Sequence, residues 1–264
     1  MQRLLKNLYD CLALYCLLAL LGVICLSFSI GAVLAYPLLP RRWGKTAGRL
    51  GIMSGFRFLS WMMTLTGIFK LDLRAIDSLR GGPPVILAPN HPTLIDAILI
   101  LTRHPNIACV MKPELVGNIF LGAGSCLARY IRSDMPRQLI KGAVADLRSG
   151  GVLLLFPEGT RTTRTPVNPL KASVGVIAKH AGVPVQVAII ETDSPYLSKG
   201  WPLLRKPKLP ITYRVRLGRR FDPPADVPSF MTALEQEYAR ELTGAPPSEQ
   251  LGAMSVPHAG NCAR

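Results

Sequence analysis

Gly81-Gly82-Pro83-Pro84-Val85-Ile86-Leu87-Ala88-Pro89-Asn90-His91-Pro92-Thr93-Leu94-Ile95-Asp96 is the stretch on which the fold class turns. The Gly-Pro cluster is a turn signal, and the short apolar run at 85–88 that follows it has the length and composition of a buried strand. Residues 93–102 carry the next helix, so a strand-to-helix turn holds His91. Working outward, strands are expected at 107–111, 128–132, 152–156, 184–190 and 211–217, with helices near 136–148, 169–181 and 228–242. Alternation of this kind predicts an α/β domain with a mixed, mostly parallel sheet flanked by helices.

The region before this domain has a different character. No charged residue occurs from 11 to 40, and the run exceeds the roughly 20 apolar residues that span a bilayer. It is also longer than the apolar core of a secretory signal and ends without a clear cleavage site. Arg3 and Lys6 precede it, and Arg41, Arg42, Lys45 and Arg49 follow, which favours a cytoplasmic side for what comes after. The near-balance of charge also suits a segment that enters one leaflet and returns. At 50–71, Ile52, Met53, Phe56, Leu59, Met63 and Phe69 alternate with Arg57 and Lys70, the pattern of an interfacial helix. The expected organisation is a membrane-embedded helical module at 1–71, the α/β domain at 72–243 and a disordered tail at 244–264, rich in Pro, Ser, Gly and Ala.

Thirty-one basic against sixteen acidic residues give a formal charge of +15, which calls for an anionic partner. A mean hydropathy of +0.27 points to membrane phospholipid and away from nucleic acid. The six cysteines show neither metal spacing nor a disulfide framework, and are expected to be free thiols acting as small hydrophobes.

Two segments carry chemistry. In Asn90-His91-Pro92-Thr93-Leu94-Ile95-Asp96, an imidazole can take a proton from an attacking hydroxyl while a carboxylate on its other ring nitrogen fixes tautomer and orientation. Five residues along one helix turn side chains about 140° apart, so His91 and Asp96 meet only if His91 precedes the helix. Pro92 is expected to take the first helical position. Phe156-Pro157-Glu158-Gly159-Thr160-Arg161 stands where a strand runs out, the usual place for a ligand in an open α/β sheet. There Gly159 permits close backbone approach, Thr160 offers a hydroxyl, and Arg161 a forked cation suited to phosphate. No acid occurs between Glu158 and Glu191, whereas Arg161, Arg164, Lys171 and Lys179 do. A Gly-x-Ser-x-Gly elbow is absent, which removes the usual serine hydrolase reading.

Together the two segments resemble the glycerolipid acyltransferase family, which includes the 1-acylglycerol-3-phosphate acyltransferases. The resemblance covers roughly residues 80–190. It implies that His91 and Asp96 form the catalytic dyad, and that Glu158, Gly159, Thr160 and Arg161 help bind the acceptor. Lys112-Pro113-Glu114-Leu115 and Tyr130-Ile131-Arg132 are similar to further family segments, adding Lys112 and Arg132 to the substrate-binding set. Val183-Pro184-Val185 is similar to the last family block. Lys171-Ala172-Ser173-Val174 departs from the family's Lys-x-Gly-Ala.

The implied reaction moves a fatty acyl group from acyl-CoA or acyl carrier protein to a lysophospholipid hydroxyl. 1-Acylglycerol-3-phosphate is the leading acceptor, with phosphatidate as product. It needs neither cofactor nor metal, and backbone amides near the dyad are expected to stabilise the oxyanion. Such a chain would sit in a bacterial inner membrane with its catalytic domain facing the cytoplasm. The segment Ser194-Pro195-Tyr196-Leu197-Ser198-Lys199-Gly200-Trp201-Pro202 is similar to members serving aryl-polyene-like pathways, which opens a non-glycerolipid acceptor, an ornithine-lipid precursor included. A competing reading is a non-catalytic protein that binds anionic membranes, since 199–220 holds many cations and no acid.

Overall fold

The computed structural model describes residues 1–244. It opens with two antiparallel-packed helices, α1 (Gln2–Ala35) and α2 (Arg41–Leu65). The chain then continues as β1 (Phe69–Asp72), a 3-10 turn at Arg74–Leu79, β2 (Val85–Pro89), α3 (Asp96–Leu101), β3 (Ile107–Met111), α4 (Pro113–Val116), α5 (Gly122–Leu127) and β4 (Ile131–Arg132). It closes with α6 (Pro136–Arg148), β5 (Val152–Leu154), α7 (Ser173–Ala181), β6 (Val185–Thr192), β7 (Ile211–Phe221) and α8 (Val227–Thr243). The seven strands form one sheet in the order β1-β7-β6-β2-β5-β3-β4, parallel everywhere except between β6 and β7. This is the mixed, mostly parallel sheet expected from the sequence.

Strand alternation divides the core into two layers, because successive side chains point to opposite faces. Val85 and Leu87 of β2, Val152 and Leu154 of β5, and Ile107 and Cys109 of β3 face the layer that also takes in α1, α2 and α3. Ile86, Ala88, Leu153 and Ala108 face α6, α7 and α8. Burial on both faces explains why these strands are continuous apolar runs. Cys109 is part of this packing, and burial pushes its thiol up to about 12, so it serves as a small hydrophobe.

α1 is long and apolar enough to cross a membrane, and only 22% of its most apolar window is buried. A core helix of a soluble protein would be mostly covered. Leu4, Leu8, Leu12, Val23, Ile30, Val33 and Leu34 are exposed along it. α2 carries Phe58, Trp61 and Leu65 outward as well, while Ile52, Phe56, Leu59 and Met63 turn into the core layer beneath the sheet.

Arg49, expected among the cations flanking a membrane segment, instead lies buried inside the protein. Its guanidinium donates to Asp146 Oδ1 and Oδ2 on α6 at 2.7 and 3.2 Å, to Asn106 Oδ1 at 2.6 Å and to the Ala128 carbonyl at 3.1 Å. Lys45 meets the same carboxylate at 2.6 Å. At the neighbouring Gly48, a Cβ would stand 2.5 Å from the Ala128 amide nitrogen, so only glycine lets α2 approach this closely.

Several boundaries differ from expectation: the helix expected over 50–71 ends at Leu65, with Phe69–Asp72 joining the sheet as β1, the strand expected at 152–156 ends at Leu154, and β7 runs on to Phe221. Arg129 has a φ of 58°, which breaks the extended chain expected over 128–132 and leaves a two-residue β4. The helix expected from 169 begins at Ser173, because the Lys171 amide donates to the Pro157 carbonyl at 2.8 Å. Pro92 is not the first helical residue: α3 begins at Asp96, and 92–95 form a turn. The tail lies outside the described residues except for Gly244, which ends α8 at a φ of 67°.

Candidate active site

β2 ends in the middle of the sheet between β6 and β5, and the turn that follows is held by both neighbours. The Asn90 side chain prolongs the strand pairing. Its Nδ2 donates to the Ile190 carbonyl at 3.1 Å, and its Oδ1 accepts from the Ile190 amide at 2.7 Å. Beyond the adjacent strand, Glu158 Oε1 accepts from the His91 amide at 3.0 Å and from the Thr162 hydroxyl at 2.6 Å. Glu158 Oε2 accepts from the Asn168 amide at 2.8 Å, and the Thr162 amide donates to the His91 carbonyl at 2.7 Å. Glu158 is buried, and its carboxylate joins the two sequence segments into one unit.

The turn at 92–95 lets Asp96 fold back toward His91. His91 Nδ1 and Asp96 Oδ2 are 2.8 Å apart, and Asp96 is fully buried. Asp96 also accepts from the Thr93 amide at 2.7 Å and from the Thr93 hydroxyl at 2.5 Å. Tyr213, buried on β7, donates its hydroxyl to Thr93 Oγ1 at 3.1 Å. Burial pushes the Asp96 carboxyl above its ordinary range, against the hydrogen bonds from His91 and Thr93 that favour the charged form. With Nδ1 facing Asp96, Nε2 is the nitrogen left to accept a proton. The imidazole stacks on Phe156 at a centroid separation of 3.9 Å and 22° between planes, which fixes its tilt.

Thr93 and Tyr213 were not assigned from sequence. Thr93-Leu94-Ile95-Asp96 has the spacing of a capping box, in which the fourth residue reaches back to the first amide, and that signal was available for Thr93. Tyr213 had none, being 120 residues from its partner.

The remaining candidates spread along the carboxyl edge of the sheet. Gly159, at a φ of 65°, opens a turn over which Lys171 lies; a Cβ there would come within 2.5 Å of Lys171 Cε and 2.6 Å of its Nζ. Thr160 is half-buried in the same turn. Arg161 Nη1 donates to the Leu197 and Ser198 carbonyls at 2.9 and 3.0 Å, which ties this turn to the β6–β7 connection. Lys112 is exposed immediately before α4. Arg132, on the edge strand β4, makes a two-point contact with Asp134 at 2.7 and 3.1 Å. Strand order therefore places Lys112 and Arg132 two and three strands from His91, on the same edge but outside the hydrogen-bonded unit.

Three amides of the dyad turn are already engaged. His91 donates to Glu158, Thr93 to Asp96 and Leu94 to the Leu197 carbonyl at 3.0 Å, while Pro92 has no N–H. Any amide that stabilises an oxyanion therefore comes from elsewhere around the dyad, because these three groups shape the turn itself. Beside the dyad lies an open cavity of about 440 Å³, lined by Thr93, Thr162, Thr192, Asp193, Ser194 and Ser198 among others. His104, by contrast, is buried and accepts from the Asn106 amide at 3.1 Å, a structural role.

Residues 70–191 match the family model described as Acyltransferase. The chain is 25% identical over 206 residues to the 1-acyl-sn-glycerol-3-phosphate acyltransferase of Pseudomonas aeruginosa, covering 76% of this chain and 77% of that protein. It is 24% identical over 204 residues to the human 1-acyl-sn-glycerol-3-phosphate acyltransferase beta, covering 71% and 66% respectively. The crystal structure of the 1-acyl-sn-glycerophosphate acyltransferase of Thermotoga maritima aligns over 97% of this chain and 100% of that one, with a TM-score of 0.66 at 20% identity. That likeness establishes the fold.

Proposed function

We propose that this chain, an O-acyltransferase whose residues 70–191 match the Acyltransferase family model, transfers a fatty acyl group from a thioester to the free hydroxyl of 1-acylglycerol-3-phosphate, giving phosphatidate. The observation that carries this reading is the buried Asp96 carboxylate 2.8 Å from His91 Nδ1 at the carboxyl end of β2, beside an open cavity. His91 Nε2 takes the acceptor's hydroxyl proton as the oxygen attacks the thioester carbon. Asp96 holds the imidazole tautomer and offsets the charge it gains. Collapse of the tetrahedral adduct breaks the C–S bond, and the proton passes from His91 to the departing thiolate. Acyl-CoA and acyl carrier protein both present such a thioester.

The acceptor phosphate would lie over the turn Gly159-Thr160-Arg161, where the Lys171 ammonium adds positive charge, with Lys112 and Arg132 farther along the edge. Glu158, with both carboxylate oxygens occupied by protein donors, acts as a positioning residue. The helices α1 and α2 anchor the protein, and the sheet domain that begins with β1 carries the chemistry at the cytoplasmic face of a bacterial inner membrane.

A second acceptor class has its own support. Ser194, Pro195 and Ser198, from the segment similar to aryl-polyene-pathway members, line the cavity beside the dyad. The full chain in detergent, given radiolabelled acyl-CoA or acyl carrier protein, is to be offered 1-acylglycerol-3-phosphate and hydroxylated non-glycerolipid acceptors in parallel. Phosphatidate formation that disappears in His91→Ala is the expected result. Product from His91→Ala would refute the dyad, and transfer only to a non-glycerolipid would refute the acceptor. Protease added outside intact spheroplasts should leave residues beyond 71 uncut.

A further inference from the structure

A second polar cavity, of about 290 Å³, lies away from the dyad between the first turns of α1 and the loop joining β6 to β7. Arg3, Lys6 and Asp10 line it from α1, and Lys206 and Lys208 from the loop. Positions 3, 6, 7 and 10 share one helical stripe. The opposite side of the same turns presents Leu4, Leu8 and Leu12, which are 75%, 67% and 62% exposed. The loop repeats this division: Leu203 and Leu204 are exposed, and Lys206 and Lys208 follow.

The loop is fixed against α1. Tyr15 donates its hydroxyl to the Leu204 carbonyl at 2.9 Å, and Lys206 Nζ donates to the Asn7 carbonyl at 3.2 Å and stands 3.7 Å from Asp10. Trp201 Nε1 donates to the Arg205 carbonyl at 3.1 Å, and the Arg205 guanidinium lies 5.1 Å from the Trp201 ring centre. Within the cavity four cations face one carboxylate, and that carboxylate pairs with Lys206. Among the described residues Arg3, Lys6 and Lys208 form no ion pair. Like charges gathered at this density repel one another unless an anion lies between them. Exposed leucines border the cluster on both elements, so an anion bound there would lie where acyl chains meet headgroups.

We propose that this cavity binds the phosphodiester headgroup of an anionic phospholipid, with Leu4, Leu8, Leu203 and Leu204 lying against its acyl chains. It is a binding site distinct from the acyl-transfer site and does not depend on the reaction assigned there. The test uses the purified full chain in neutral detergent, titrated calorimetrically with short-chain phosphatidylglycerol, short-chain phosphatidylcholine and inorganic phosphate. Phosphatidylglycerol should bind, phosphatidylcholine should not, and inorganic phosphate at matched concentration should not displace the lipid. Arg3→Gln with Lys208→Gln should weaken binding roughly thirtyfold, the equivalent of about 1 kcal/mol for each cation. Arg3→Lys with Lys208→Arg should restore it, and Arg219→Gln with Arg220→Gln, remote from the cavity, should leave it unchanged. Equal binding of phosphatidylcholine, full displacement by inorganic phosphate, or an equal loss in the remote variant would each overturn the proposal. So would undiminished binding in the Arg3/Lys208 glutamine variant. Turnover is not read, so failure of the acyltransferase assignment would leave this result untouched.

Discussion

The turn after β2 and helix α1 are held in opposite ways. In the turn, a few residues receive partners from β6, β7 and the loop after β5, and their amides and carboxylates are matched at distances between 2.5 and 3.1 Å. Along α1, 34 residues present mostly apolar side chains outward and meet the protein through a buried minority such as Ala13, Leu14 and Leu17. Directional bonds in a dry site make each atom matter, whereas apolar transfer to lipid depends on area and tolerates exchange.

Substitutions sharpen this contrast, and the largest effect belongs to the turn. Asp96→Asn should lower the acyl-transfer rate about 10³- to 10⁴-fold in a radiolabel assay, because the imidazole tautomer is no longer imposed. The same variant tests the carboxyl's titration. A carboxyl raised in the folded state binds its proton more tightly there than in the unfolded chain. It therefore costs stability as pH climbs from the unfolded value through the folded one. Thermal scans across that window should show the wild type losing stability relative to Asp96→Asn as pH increases; parallel curves would refute the shift.

Where α2 meets α6, Arg49→Met leaves Asp146 with Lys45 as its remaining ion-pair partner. It should cost about 3 kcal/mol in chemical unfolding, the lower end for a broken buried pair. A change below about 1 kcal/mol would mean that the exposed edge of this seam screens it well. Glu158→Gln keeps shape and loses charge. With three donors converging on the carboxylate, about 1–3 kcal/mol of stability should be lost, together with part of the transfer rate at unchanged acceptor KM. A change in KM alone would show that Glu158 touches the acceptor directly. Leu8→Ala, on the exposed face of α1, should alter unfolding in detergent by less than about 0.5 kcal/mol, and a larger loss would show that this face packs on protein.

The local features of the site were legible for local reasons. His91 and Asp96 stand five residues apart, and the apolar runs of β2, β3, β5 and β6 advertised buried parallel strands wherever both faces are covered. Glu158 was identified, but as an acceptor contact: Thr162 and Asn168 follow it closely in the chain, whereas the His91 amide, 67 residues back, reaches it only once β5 lies beside β2. Arg161 has the same history: the carbonyls it holds lie 36 and 37 residues further on. Arg49 looked like a flanking membrane cation because its carboxylate partner is 97 positions away.

By itself, then, the sequence determined whatever depends on neighbours along the chain: an apolar run long enough to cross a membrane, the period of each strand and helix, and a base and carboxylate that only a non-helical turn can bring together. Tertiary structure alone decided which polar groups would be partnered. A buried charge or amide must find its complement wherever packing leaves one, and strand order, not sequence distance, brought Glu158, Tyr213 and the Ile190 backbone to the turn that holds His91.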